Sequence, residues 1–317
     1  MHPHPPHRQR ILFIGSSVAD VILQTPALPV TGDDINLTSQ TAVLGGCACN
    51  AYRISRMAGA DAVLFSPVGQ GIWGDFVRQQ MAQEKIVTLC PSSEEINGCC
   101  YCLVEPSGER TFLCDHGAEY HFLPSWFDVL EDEVFHSAFI CGLEMEAPTG
   151  SVILDYLEQH PVSQLYFAPG PRILHIHPKT MARIIQMNPV IHMNLAELLS
   201  FTLSTSLTQG IDQMLSLGEC SLVITLGSDG AYFADSSHRF QIPGTMTEVA
   251  DTIGAGDAHA GGLMAARWKG LDWDSSLSIA NIFGAAVVSV PGAKLSSAQF
   301  QSWLLRHPDS EKELTDF

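Results

Sequence analysis

Short apolar runs rich in strand-forming residues recur along the chain, at ILFIG (11–15), AVLFSPVG (62–69), AFICGLE (138–144), QLYFAPG (164–170), VIHMN (190–194) and LVITLG (222–227). Between them lie segments with helical spacing, CNAYRISRMAGA (49–60), GDFVRQQMAQEKI (74–86) and GIDQMLSLGE (210–219). Strands that alternate with helices pair in parallel through crossovers, so the expected architecture is α/β, a doubly wound, mostly parallel sheet flanked by helices. Two stretches interrupt the alternation. Residues 17–44 carry no helical pattern, and INGCCYCLVEPSGERTFLCDHGAEY (96–120) reads as strand, turn at EPSGE, strand. These stretches are expected to pair into a small separate β-sheet, a lid over the C-terminal edge of the main sheet, where open α/β folds bind ligands. With no internal repeat or low-complexity linker, residues 1–317 read as a single domain with lid strands inserted at about 17–44 and 96–118.

The 317 residues, 46% hydrophobic and 16% charged, suffice to bury a sizeable core and exclude a disordered chain. The formal net charge of −18 would repel nucleic acid and anionic membrane surfaces, and no basic patch relieves it. No apolar run is long enough to span a membrane as a helix. The N-terminal MHPHPPHRQR lacks the apolar stretch of a signal peptide, its prolines oppose a helix, and it reads as a frayed tail. Nine cysteines, an odd number without two C-x-x-C pairs at zinc-site spacing, read as the reduced thiols of a cytoplasmic protein. Within CCYC (99–102), strand alternation puts Cys99 and Cys100 on opposite faces, which opposes a metal cluster.

Two glycine-rich stretches compete as anion sites. GQGIWG (69–74) satisfies G-x-G-x-x-G between a strand and a helix, but no acidic residue closes a neighbouring strand about 20 residues on, so a dinucleotide site is disfavoured. DTIGAGD (251–257) is the stronger candidate. Thr252 or Asp251 is expected to end a strand, and DAHAGGLMAARWKG to continue as a helix ending near Gly270. Backbone N–H groups around Gly254, Ala255 and Gly256, with the positive end of the helix dipole, would form an anion hole, and Asp257 beside it could accept a proton from a hydroxyl attacking a bound phosphate. The same dipole is expected to lower the pKa of Asp257 and weaken it as a base.

VADTIGAGDAHAGG (249–262) resembles the C-terminal signature of the ribokinase-like, PfkB-type carbohydrate kinase family. GSSVAD (15–20) resembles its first strand and substrate-binding aspartate, and GGCACNAYRISRMAGA (45–60) its N-terminal signature. GLE (142–144), NLAE (194–197), VITLGSDGAYF (223–233) and VPGAKLSS (290–297) fall in the matching order, so the similarity covers nearly the whole chain. The resemblance implies an ATP- and Mg2+-dependent sugar kinase. In it Asp257 would be the catalytic base and Gly254, Ala255 and Gly256 the anion hole. Asn194 and Glu197 would organise magnesium and phosphate, Glu197 indirectly, while Thr225, Gly227 and Gly230 would form the nucleotide turn. Asp20, Gly45, Gly46, Asn50 and Glu144 would contact the substrate, and Asp251, Ile253 and Ser296 resemble a monovalent-cation (K+) site found in part of the family. Three departures stand out: Ala258-His259 after GAGD, where Phe commonly holds the second place, Gly71 in place of an aspartate in VGQGIWGD, and Cys47 where some sugar kinases carry lysine or glycine.

A phosphorylated sugar would require several cations to hold its dianion, yet Arg110 is the only Lys or Arg within 90–120. A neutral substrate is therefore expected, a monosaccharide or, with its base stacked on Tyr101, Phe112 or Tyr120, a nucleoside. A catalytically silent sugar-binding regulator on the same fold is the reading from another class. Exposed lid strands are an edge liability, which a homodimer paired through the lids would cover.

Overall fold

The computed structural model describes residues 10–292, 294–315 and 317, so the N-terminal tail up to residue 9 lies outside the described residues. Twelve strands are described among them: β1 (Arg10–Ile14), β2 (Val18–Gln24), β3 (Ser39–Gly45), β4 (Ala62–Phe65), β5 (Cys99–Val104), β6 (Arg110–Asp115), β7 (Phe135–Cys141), β8 (Gln164–Ala168), β9 (Val190–Asn194), β10 (Ser221–Thr225), β11 (Ala231–Ala234) and β12 (Arg239–Ile242). The α-helices are α1 (Cys47–Met57), α2 (Gly71–Glu84), α3 (Gly142–Glu146), α4 (Gly150–Gln159), α5 (Pro178–Gln186), α6 (Leu195–Thr202), α7 (Leu207–Leu215), α8 (Ala255–Trp268), α9 (Trp273–Val288), α10 (Ser297–Leu304) and α11 (Pro308–Thr315). The main sheet runs β12-β11-β10-β9-β8-β7-β1-β4, parallel from β10 to β4 and antiparallel at the β11 and β12 edge. A second sheet, β3-β2-β5-β6, is built from the two stretches that break the alternation.

Side chains that alternate along the central strands feed two separate cores, as the two-residue period of a strand requires. Ile11 and Phe13 pack with α1, α8 and α9, whereas Leu12 and Ile14 pack with α4, α5 and α7. Both faces of the main sheet are therefore covered, which is the doubly wound arrangement that the alternation predicts. The parallel strands β1, β7, β9 and β10 all end on one side, and β2 starts only four residues after β1, so the small sheet rises from that same edge.

One expected strand is absent. The segment before GAGD is irregular from residue 243 onward, because the amides of Ala250 and Asp251 donate to Val288 O at the end of α9 (2.8 and 3.1 Å) instead of to a strand. Two apolar runs also stop short: β4 ends at Phe65, and β7 ends at Cys141, after which GLEME turns helical.

Helix α8 lies across α1 with backbone nearly touching backbone. A Cβ on Gly261 would stand 2.3 Å from Ala51 O, and a Cβ on Gly262 would stand 2.8 Å from the ring of Phe283 on α9. This approach is what a side chain at either position would prevent. Gly261→Ala is expected to lower the unfolding free energy by about 1–3 kcal/mol through overpacking. Urea titrations of both proteins read the change, and an unchanged midpoint would show that the two helices part without cost.

Candidate active site

The N-terminus of α8 is set by Gly254, whose φ of 74° is open to glycine at little cost. The first amides of a helix have no acceptor four residues back. Here Ala255 N donates to Thr252 O (3.3 Å), and the next two amides, of Gly256 and Asp257, are left at the positive end of the dipole. Asp257, half-buried in this first turn, accepts from Asn50 Nδ2 at 2.9 Å. Arg53 fixes the orientation of that amide. Its guanidinium donates to Asn50 Oδ1 (3.1 Å) and Leu44 O (2.8 Å), and grips Glu84 with two nitrogens (2.8 and 2.9 Å). A guanidinium can only donate, so the Asn50 oxygen faces Arg53 and its NH2 faces Asp257.

Burial pushes the Asp257 carboxyl up to about 6, against hydrogen bonds from Asn50 and Cys47 and with help from the charge of Glu197. The expectation of a lowered pKa for this aspartate is thereby corrected: desolvation by burial raises it.

On the small-sheet side, Asp20 is pushed up to about 7 by burial first, then by the charges of Asp257 and Cys114, while Arg53 opposes. Its carboxylate fits only because residue 45 is glycine, where a Cβ would stand 1.8 Å from Asp20 Oδ2. Gly46 caps α1 at a φ of 99°, with Ser16 O 2.3 Å from where its Cβ would be. Glu144 is wholly buried; one carboxylate oxygen accepts from Ser16 N at 2.7 Å, and its Oε2 has no hydrogen-bond partner among the described residues. Burial pushes it up to about 7.

A cavity of about 330 Å³ opens beside the α8 N-terminus, walled by Thr225, Gly227, Gly230, Ala255, Gly256 and Asn281 among others. Its size is in the range of small-molecule pockets. Apart from the chain next to each glycine, no atom of the described residues stands within 4 Å of a Cβ built on Gly227 or on Gly256, so both leave room along the wall. The sequence reading does not foresee the wall formed by residues 245–249 or by α9. The signal available for α9 is a lone Asn281 in the otherwise apolar second half of that helix, residues 279–288. Asn281 Nδ2 donates to Pro243 O (2.9 Å), so its Oδ1 faces His259 Nε2 (3.2 Å), and His259 Nδ1 in turn meets His192 Nε2 (2.9 Å). With both rings buried and their pKa values lowered, the network assigns the protons to His259 Nε2 and His192 Nε2.

The remaining sequence candidates hold other partners. Asn194 and Glu197 close a reciprocal cap at the start of α6 (2.8 and 3.0 Å). Asp251 accepts from Ile253 N (2.8 Å) and Gly292 N (2.9 Å) and is ion-paired with Arg110, which also donates to Thr252 Oγ1 (2.6 Å). The Ser296 hydroxyl is committed to Gln299 at the start of α10. In the GQGIWG loop two amides are taken from afar: Gly69 N donates to Asn97 Oδ1 (2.9 Å) and Gln70 N to Glu95 O (2.7 Å).

A kinase fold accounts for this layout. The structure of the fructokinase from Vibrio cholerae O395, in a fructose, ADP and calcium ion bound form, aligns with a TM-score of 0.75 at 19% identity, covering 94% of this chain and 99% of that one. Sequence comparison carries the likeness from fold to family. The pfkB family carbohydrate kinase pattern matches residues 8–299. The chain is 33% identical to the uncharacterized sugar kinase YegV of Escherichia coli K12 over 95% of its own length and 94% of that protein's. It is 26% identical to the fructokinase of Vibrio alginolyticus over 87% and 97% of the two lengths. The chain belongs to the pfkB family of carbohydrate kinases, enzymes that transfer phosphate to a sugar hydroxyl.

Gly45→Ala would drive the Asp20 carboxylate from its place. The Michaelis constant for the acceptor is expected to rise at least about tenfold, with that for the nucleotide within about twofold. Initial rates with each substrate varied in turn read the split, and equal shifts in both constants would remove Asp20 from the acceptor side.

Proposed function

We propose that the chain transfers the γ-phosphoryl group of ATP in line to a hydroxyl of a neutral sugar, with Asp257 as the base. One observation carries this reading: two adjacent residues of a helix N-terminus face different ways. Gly256 lines the nucleotide-sized cavity, while Asp257 is turned by Asn50 toward the small sheet, close enough for its charge to act on Asp20. A phosphoryl group crossing between the two sides would pass the free amides of the helix.

In this mechanism Asp20, Gly45, Gly46 and Asn50 hold the sugar, and Glu144 supports that wall. The acceptor hydroxyl points at Asp257. Its oxygen forms the new bond to the γ-phosphorus as the bond to the β-phosphate oxygen breaks, and its proton passes to an Asp257 carboxylate oxygen as ADP leaves. The amides around Gly254, Ala255 and Gly256 meet the charge on the transferring group, in a place fixed before reaction. Thr225, Gly227 and Gly230 cradle the nucleotide. Magnesium, when bound, would supply neutralisation of phosphate charge, and Glu197 would help to hold it. A raised pKa suits Asp257 to its task, since it is a stronger base than an ordinary carboxylate yet ionised at neutral pH.

The cations near the site support a neutral acceptor. Arg53 and Lys294 are paired with Glu84, Arg110 with Asp251 and Arg172 with Glu146. Two of the three aromatic candidates for stacking a nucleoside base are committed elsewhere, whereas Phe112 is exposed and shares the Asp20 face of the small sheet. Tyr101 alternates with Cys100 and so lies on the face of β5 away from Asp20, packed with Trp73 and Phe76, and Tyr120 is buried and stacked on His116 at 3.7 Å.

ADP release from magnesium-ATP, measured across neutral monosaccharides and nucleosides, tests the reading. Turnover with a monosaccharide supports it, and sugar binding without ADP release would make the chain a silent regulator. In the active enzyme Asp257→Asn is expected to lower kcat by roughly 10²–10⁴ while the nucleotide Kd holds. The base must be ionised, so kcat/KM should fall about tenfold per unit as pH drops below about 6. A flat profile to pH 5, or near-normal turnover in the variant, would unseat Asp257.

A further inference from the structure

The CCYC stretch is absorbed neither by the fold nor by the proposed reaction. Cys100 of β5 and Cys114 of β6 are directly opposite in the antiparallel register, and their sulfurs stand 3.3 Å apart. Directly opposite residues have Cα atoms about 4.5–5.5 Å apart, inside the range of about 4.4–6.8 Å that a disulfide spans. The same register places Asp20 of β2 beside Cys100. Asp20, Cys100 and Cys114 therefore form one row across three strands, on one face of the small sheet. Cys114 is exposed and Cys100 half-buried, so a reagent can reach them.

We propose that Cys100 and Cys114 are a thiol-modification site, closed to a cross-strand disulfide by low-molecular-weight disulfides, and that closure weakens binding of the acceptor beside Asp20. The second half rests on the sugar-kinase reading, while the first stands without it.

Cys114 is the attacking group. It is the more exposed of the two, and its hydrogen bond with Cys100 first, then Arg172, brings its pKa down to about 7 against burial and the charge of Glu119. The thiolate attacks one sulfur of the oxidant RSSR, forming a mixed disulfide and expelling RS−. Cys100 then loses its proton to solvent and attacks Cys114 Sγ, expelling the second RS−. Both leaving thiolates are protonated, so one dithiol and one RSSR become one protein disulfide and two RSH. The half-buried Cys47 and buried Cys141 differ in that neither thiol is lowered: burial holds Cys141 well above an ordinary thiol and Cys47 is raised to about 11. Closure removes a thiolate and an S–H donor from the face that carries Asp20 and joins the two strands there.

The experiment treats the full-length, reduced protein with oxidised glutathione and maps disulfides by peptide mass spectrometry. A loss of about 2 Da that joins the peptides of Cys100 and Cys114 is expected, reversed by dithiothreitol and absent from Cys100→Ser and Cys114→Ser. A persistent glutathione adduct on Cys114, or a link between other cysteines, overturns the site. In the kinetic arm the acceptor KM should rise at least about threefold on closure while the nucleotide KM stays within about twofold. An acceptor KM unchanged in the linked protein overturns the coupling to Asp20. The mass readout needs no activity, so a failure of the kinase reading would not be mistaken for a failure of the dithiol.

Discussion

The meeting of Asn50 with Asp257 depends on how closely α8 can approach α1. Gly261 makes that approach one of backbone against backbone, and the N-terminus of α8 is carried with it to the strand ends. A helix dipole and free amides exist at every helix start. What distinguishes this one is that a carboxylate from its first turn is held by a second helix, while the neighbouring glycine opens on a cavity. The Glu84–Arg53–Asn50 chain extends this control to α2, so three helices determine where one carboxylate oxygen points.

The electrostatic consequence is a group of carboxyls at odds with burial. Asp20, Glu144 and Asp257 are all raised, each chiefly by desolvation. The linkage sign follows. A carboxyl whose folded pKa exceeds its unfolded one binds more protons in the folded state, so its contribution to stability falls as pH rises from the ordinary carboxylate value toward the folded value. For Asp257 that window runs from 3.8 to about 6, and for Glu144 from 4.5 to about 7. Near neutrality Asp257 is thus mostly ionised, and Asp20 and Glu144 about half so, at some expense to folding. Such local conflict belongs at a functional site, where the rest of the structure must offset it.

The fold was legible in the sequence because it rests on periodicity, and the two buried faces of β1 follow from alternation alone. The α8 N-terminus was legible because glycines next to an acid have few other uses. The two glycine-rich loops look alike in sequence and differ only in what reaches them from afar. Asn97 and Glu95 cross to occupy the amides of Gly69 and Gln70, while the corresponding place at Gly256 opens on the cavity. The irregular path into GAGD was hidden for the same reason, since its hydrogen bonds go to Val288. His192, His259 and Asn281 come from a strand and two helices, and no local pattern announces that they share a proton chain. Burial also misled the pKa argument, because a dipole can be inferred from a motif whereas desolvation requires the packed surroundings.

Arg110 shows how the two sheets are joined. It lies at the start of β6, yet its guanidinium is bound to Asp251 and Thr252, the residues that lead into the helix N-terminus. Thr252 O in turn accepts the amide of Ala255, and Asp251 holds the amides of Ile253 and Gly292. The turn that presents the free amides is therefore tied on one side to the end of α9 and on the other to the small sheet. A displacement of β6 that carried Arg110 away would leave the Asp251 carboxylate largely buried without its counter-charge, a costly state. The position of the small sheet and the geometry of the amide turn are coupled by that cost, through one side chain.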